Sequence, residues 1–144
     1  MKIIIDGDAC PGISIIELLV EKYSIYALLY CDYSHLYSSS YIDIKMVDNG
    51  FQSVDMYVVN NTLKDDIVVT DDYGVAAMCL LKYAKVINSK GEMYTDDNID
   101  DKLYSRHISL KRRKAGKKCS KIKKRTKEDD EKLYSVLEKL IISK

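Results

Sequence analysis

Residues 2–23 read KIIIDGDACPGISIIELLVEKY, and their order decides the fold class. Lys2 to Asp6 is a short apolar run of strand length, broken by Asp6 and Asp8. After Pro11 and Gly12, the apolar residues Ile15, Ile16, Leu19 and Val20 recur at helical spacing. A second apolar run of strand length follows at residues 25–31. Strand, helix, strand in this order is the opening of a βαβ unit.

The rest of the chain repeats the alternation. Tyr23, Tyr26, Tyr30, Tyr33 and Tyr37 recur at steps of three and four, which could mark a helix. Ser24 separates the runs, however, and Ser38, Ser39 and Ser40 break the pattern, so residues 25–31 are read as a strand. Residues 42–47 alternate apolar and polar before the turn signal Asp48-Asn49-Gly50. A helix is expected over residues 53–63, a buried strand over 67–70, an apolar helix over 73–84 and a short strand over 85–88. Ser89-Lys90-Gly91 reads as a turn. Thr95 is placed to cap a helix opening on Asp96 and Asp97, whose charges complement the helix's positive end. Thr126 is placed to cap a last helix, about 127–142, with Leu133, Leu137, Leu140 and Ile141 as its apolar stripe. The expectation is one α/β domain over residues 1–144 with a mainly parallel sheet.

Charge is distributed unevenly. Residues 106–127 hold twelve of the 23 basic side chains and no acidic one. The other 122 residues hold eleven basic and 22 acidic side chains, a balance of −11 behind the overall +1. A basic segment on an acidic body suits a polyanion whose phosphates meet the segment, with a cation between that ligand and the body's carboxylates. A lysine run that is only a solvated face is the plainer alternative. Lys111, Arg112, Arg113, Lys114, Lys117 and Lys118 are the candidate nucleic-acid contacts. No apolar run approaches the ~18 residues that span a membrane, and no secretory pattern opens the chain. Cys10, Cys31, Cys79 and Cys119 stand singly, without the pairing of a zinc site or disulfide framework. A cytoplasmic protein without membrane contact is expected.

The acidic residues carry the chemistry. Asp6 and Asp8 follow the first strand; Asp71 and Asp72 follow the strand at 67–70; Asp55 opens a helix that follows a strand. In an open parallel sheet, the C-terminal strand ends share one edge, and ligands bind there. Carboxylates converging at that edge suit Mg²⁺ or Mn²⁺, which takes oxygen ligands and needs one or two direct carboxylates. Such an ion supports phosphodiester hydrolysis. Taken singly, each Asp is better explained as a turn or cap residue; it is Asp6 and Asp72 together, each after a hydrophobic strand, that point to a site.

Asp6-Gly7-Asp8-Ala9-Cys10-Pro11 resembles the Asp-x-Asp-Ala-Cys-Pro opening of the YaiI/YqxD family of bacterial proteins. The resemblance continues through residues 66–76, through Gly91-Glu92-Met93-Tyr94-Thr95 with Asn98-Ile99, and through Arg112-Arg113 and Asp129-Asp130. It implies a three-layer, PIN-like nuclease fold with a site built from Asp6, Asp8, Asp55 and Asp72. The spacing Thr70-x-Asp72 is similar to the Thr-x-Asp of PIN domains, which leaves Asp71 as the bystander. Two departures stand out. Residues 117–123 replace a Gly-Gly-Pro-containing stretch common in relatives, and Gly7 stands where relatives often carry alanine.

The function expected is a Mg²⁺- or Mn²⁺-dependent phosphodiesterase acting on RNA or other nucleic acid, Asp6 and Asp72 holding the metal and Asp8 and Asp55 completing the site. The alternative is a non-catalytic RNA-binding module of the same fold. A phosphotransferase of the haloacid dehalogenase kind would use Asp6 and Asp8, but Ala9-Cys10-Pro11 replaces its usual Gly-Thr. Cys10, at the entrance to the first helix, is a weaker candidate for a reactive thiol than for packing. His35 reads as a loop residue, and Tyr33, Tyr37 and Tyr41 as candidates to stack on unpaired bases.

Overall fold

Three isoleucines form the centre of the molecule: β1 (Ile3–Asp6) lies inside a six-stranded sheet, with Ile3, Ile4 and Ile5 all fully buried. A strand buried on both faces contributes about 1.5–3 kcal/mol per large apolar side chain, which is why the central strands read as unbroken apolar runs. The computed structural model describes residues 1–8, 10–33, 37–48, 53–100 and 124–143. Lys111, Arg112, Arg113, Lys114, Lys117, Lys118, Cys119 and His35 lie outside the described residues.

The elements follow in the order β1, α1 (Ile13–Tyr23), β2 (Ala27–Cys31), β3 (Asp43–Met46), α2 (Val54–Asn61), β4 (Ile67–Val69), α3 (Tyr73–Leu80), β5 (Lys85–Ile87), β6 (Met93–Tyr94) and α4 (Lys127–Ile142). Residues 96–100 are also helical. The sheet order is β3-β2-β1-β4-β5-β6, parallel throughout except for β6, which runs antiparallel to β5. Ile3 pairs with Ala27 on one side and Ile67 on the other, so β1 divides two halves of the sheet.

Strand periodicity sorts the core into two layers. Ile3, Ile5, Leu29, Ile67, Val69 and Ile87 face α1 and α4 and pack on Ile16, Leu19, Leu133 and Leu137. Ile4, Leu28, Tyr30, Val68 and Val86 face α2 and α3 and pack on Val58, Val75, Ala76 and Cys79. Helices thus cover both faces of the mainly parallel sheet expected from the alternation, in the three layers that the family resemblance implies.

The expected caps form. Thr126 accepts the Asp129 N–H through its side chain while Asp129 accepts the Thr126 N–H, a capping box. Thr95 and Asn98 exchange the same pair of bonds. The apolar helix expected over 73–84 stops at Leu80, because Tyr83 turns left-handed at φ 63° and Ala84 N–H reaches back to Cys79 O. β6 has no counterpart in the sequence reading; two residues carry too little pattern to show a strand.

Candidate functional site

The topological switch point falls between β1 and β4, where the chain leaves the sheet in opposite directions to α1 and α3. Asp6 ends β1 and Thr70 follows β4, both buried. Thr70 Oγ1 donates to Asp6 Oδ2 at 2.9 Å and accepts the backbone N–H of Asp72 at 3.0 Å. The hydroxyl is therefore fixed in direction, and it joins the two carboxylate-bearing turns. Asp6 Oδ1 accepts the backbone N–H of Asp8 at 3.3 Å.

Asp72 is the N-cap of α3; its Oδ1 accepts the N–H groups of Gly74 at 2.8 Å and Val75 at 3.3 Å. That bonding sets the carboxylate's position at the same sheet edge. Burial raises the Asp6 carboxyl to about 6, and the neighbouring charges of Asp72 and Asp8 push the same way against the bonds from Thr70 and Asp8 N–H. The cause is geometric: an acid at 3% exposure shares its edge with two like charges.

Asp55 occupies the exposed first turn of α2, with its Oδ1 on the backbone N–H of Met56 at 3.1 Å. Among the described residues, no hydrogen bond links Asp55 to Asp6, Asp8 or Asp72. Nor do the described residues contain a group of three or more His, Cys, Asp or Glu placed to hold a metal ion. What the structure brings together is Asp6, Thr70 and Asp72 by hydrogen bonds, with Asp8 by backbone bond and charge. An all-oxygen set with mutual repulsion fits a hard divalent cation that keeps most of its waters and takes one or two direct carboxylates. Thr70 was legible only as part of a spacing; its role as the connecting hydroxyl needed the register of β1 against β4.

The neighbours serve architecture. Asp71 accepts both the N–H and Oγ of Ser89 at 2.7 Å, so it holds the turn after β5. In that turn Gly91 has φ 79°, and a Cβ there would lie 2.8 Å from Leu133 N and Lys132 O of α4. Burial pushes the Cys10 thiol up to about 12, with the charges of Asp71 and Asp6 adding to it, so the thiol stays protonated at neutral pH. Its side chain is buried in the core layer that faces α1 and α4. Tyr37 donates to Gly7 O at 3.0 Å beneath the Asp6–Asp8 turn, and Tyr41 donates to Glu21 at 3.0 Å. Tyr33 is exposed. Of the basic segment, residues 124–127 are described: Arg125 Nε donates to Asp130 at 2.7 Å, and its guanidinium packs over Gly12, where a Cβ would come within 2.9 Å of it.

Fold and site together define a three-layer α/β protein with paired carboxylates at the switch point of a mostly parallel sheet. The chain belongs to the YaiI/YqxD family, described as uncharacterised, which it matches over residues 4–143. It is 55% identical over 141 residues to a UPF0178 protein of Clostridium perfringens (strain SM101 / Type A), covering 98% of this chain and 95% of that protein. A UPF0178 protein of Clostridium novyi is 50% identical over 141 residues, with the same two coverages. One from Clostridium acetobutylicum is 44% identical over 144 residues, covering 99% and 97%. No solved structure matches the chain significantly.

Proposed function

We propose that this protein is a Mg²⁺- or Mn²⁺-dependent phosphodiesterase of PIN-like fold that acts on nucleic acid, RNA foremost, in the cytoplasm. The observation that carries the reading is the Asp6–Thr70–Asp72 linkage at the switch point. A carboxylate raised first by burial and further by its acidic neighbours has a use when a cation offsets both costs, and no structural use that an amide would not serve better. The buried thiols of Cys10 and Cys79, which suit a reducing environment, support that compartment.

A divalent cation at this edge supplies charge neutralisation for a phosphoryl oxygen and a more acidic water. The chain's own residues prepare that place. Asp6 is ionised above about pH 6 and held in one orientation by Thr70 Oγ1 and Asp8 N–H. Asp72 is held by the first turn of α3, so the two carboxylates present their oxygens without reorganising. Asp8, exposed beside them, extends the acidic edge where Asp55 also opens a helix. Residues 106–127, with Lys111, Arg112, Arg113, Lys114, Lys117 and Lys118, supply the attraction for phosphates that an acidic body lacks.

The experiment is incubation of the purified protein with mixed-sequence RNA and DNA in Mn²⁺, Mg²⁺ or EDTA, beside an Asp6→Asn/Asp72→Asn variant. Cleavage that requires metal and disappears in the variant supports the reading; intact nucleic acid in every lane overturns it. A second reading, a non-catalytic RNA-binding module, is favoured by the absence of a three-carboxylate group among the described residues. Its signature is a low-salt gel shift without cleavage, weakening by about 0.7–0.9 log units per contact for each log unit of salt.

A further inference from the structure

β3 is an edge strand, and among the described residues no strand pairs with its outer side. Its backbone polarity can be read from one bond. Val47 N–H donates to Cys31 O at 2.8 Å, so Asp43, Lys45 and Val47 turn their backbone groups toward β2. Ile44 and Met46 then turn their N–H and C=O outward. Asp43 and Lys45 share the face that Leu28 and Tyr30 occupy, and both side chains are exposed, 42% and 52%. Within the chain they approach to 3.4 Å, and Tyr26 Oη donates to Asp43 at 3.2 Å. Exposed Tyr26 lies against Asp43, while exposed Met46 stands on the opposite face of the strand.

We propose that β3 pairs antiparallel with β3 of a second copy of this chain, about a two-fold axis at Ile44, joining the two sheets. The register follows from where the outward groups lie. Ile44 faces Ile44 of the second copy, and each donates its N–H to the other's carbonyl. Asp43 of each copy then stands opposite Lys45 of the other, at the non-hydrogen-bonded positions where cross-strand side chains come closest. The strand is self-complementary in charge about its own centre, which is what an isologous contact requires. Slipping the register by two residues breaks the match and sets like charges opposite one another. Edge charges also serve to keep strands apart, but a protective edge has no need for opposite signs placed symmetrically about one residue. The two-fold axis sends the C-terminal strand ends of the two copies in opposite directions, so both Asp6 sites stay open.

The test is sedimentation velocity across a concentration series on the full chain and three variants: Lys45→Asp, Asp43→Lys, and the exchange Asp43→Lys/Lys45→Asp. The wild-type mass should rise to that of a dimer. Each single variant should raise the dissociation constant at least about tenfold, because both cross-strand pairs become like-charged, and the exchange should restore it. In parallel, hydrogen exchange at Ile44 and Met46 of the wild type should slow as concentration rises, a readout that requires no variant. A monomer at all concentrations, a dimer indifferent to the single reversals, an exchange variant that stays monomeric, or Ile44 and Met46 amides blind to concentration would each overturn the proposal.

Discussion

Replacing Asp6 with asparagine should stabilise the metal-free protein at neutral pH, by an amount that the structure sets. The carboxyl lies at about 6 in the folded chain against 3.8 for the free group. At about 1.4 kcal/mol per pH unit, its ionisation costs the folded state about 3 kcal/mol above that range. Asparagine keeps the shape and an acceptor for Thr70 Oγ1, but sets an amide donor against the Asp8 N–H, a loss of about 1 kcal/mol. A net gain of about 2 kcal/mol remains, or roughly 4–8 °C in Tm for a chain of this size. The sign fixes the pH window. Because the folded protein binds this proton more tightly than the unfolded chain, the wild type loses stability as pH rises from about 4 to about 6. The advantage of Asp6→Asn should therefore be absent below about pH 4 and complete by about pH 7. Urea denaturation of both proteins in EDTA across that range measures it. A difference that does not change with pH, or a variant less stable at neutral pH, would refute the reasoning.

Thr70→Val removes the donor to Asp6 and the acceptor for Asp72 N–H at once. The Asp6 carboxyl should move further above 6, as read by carboxyl NMR titration, and metal-dependent cleavage should fall about tenfold or more. Gly91→Ala forces a side chain into a left-handed turn and onto the α4 backbone; chemical denaturation should show a loss of about 2 kcal/mol or more. Asp66→Ala strands Lys2 Nζ, bonded at 2.6 Å, and the Leu63 N–H at 2.8 Å, in a site where Asp66 is 3% exposed, and should cost about 3 kcal/mol in the same assay. Cys10 should resist iodoacetamide in the native protein up to about pH 9, with mass spectrometry of the digested protein locating any label, and react once urea unfolds the chain.

The long-range order of this fold was legible because its central strands are uniform: Ile3, Ile4 and Ile5, and Ile67, Val68 and Val69, admit few readings but buried parallel strands. Thr95 was legible as a cap from the acidic pair that follows it and Thr126 from the apolar stripe it precedes, whereas the reciprocal bonds with Asn98 and Asp129 appear only in the structure. The two-residue β6 and the early end of α3 were not legible, since each depends on tertiary partners rather than on local pattern. At the site, strand-end position pointed to Asp6, Asp8, Asp71 and Asp72 alike, and only the resemblance to the Thr-x-Asp of PIN domains set Asp72 above Asp71. The same argument grouped Asp55 with them, but a helix start after an edge strand is a coarse address. In the structure Asp55 sits on an exposed turn with no hydrogen bond to the others among the described residues. Thr70 shows the converse: a residue central to the geometry that carries no charge and so drew attention only through its spacing to Asp72.

The most direct measurement is paramagnetic broadening of the protein's amide signals by substoichiometric Mn²⁺. If Asp6 and Asp72 hold the working cation, residues 6–8 and 70–74 broaden first, and Asp6→Asn/Asp72→Asn abolishes the effect. Broadening that begins elsewhere, at Asp96 and Asp97 for example, or that survives the double substitution, would contradict a metal-dependent site at the switch point.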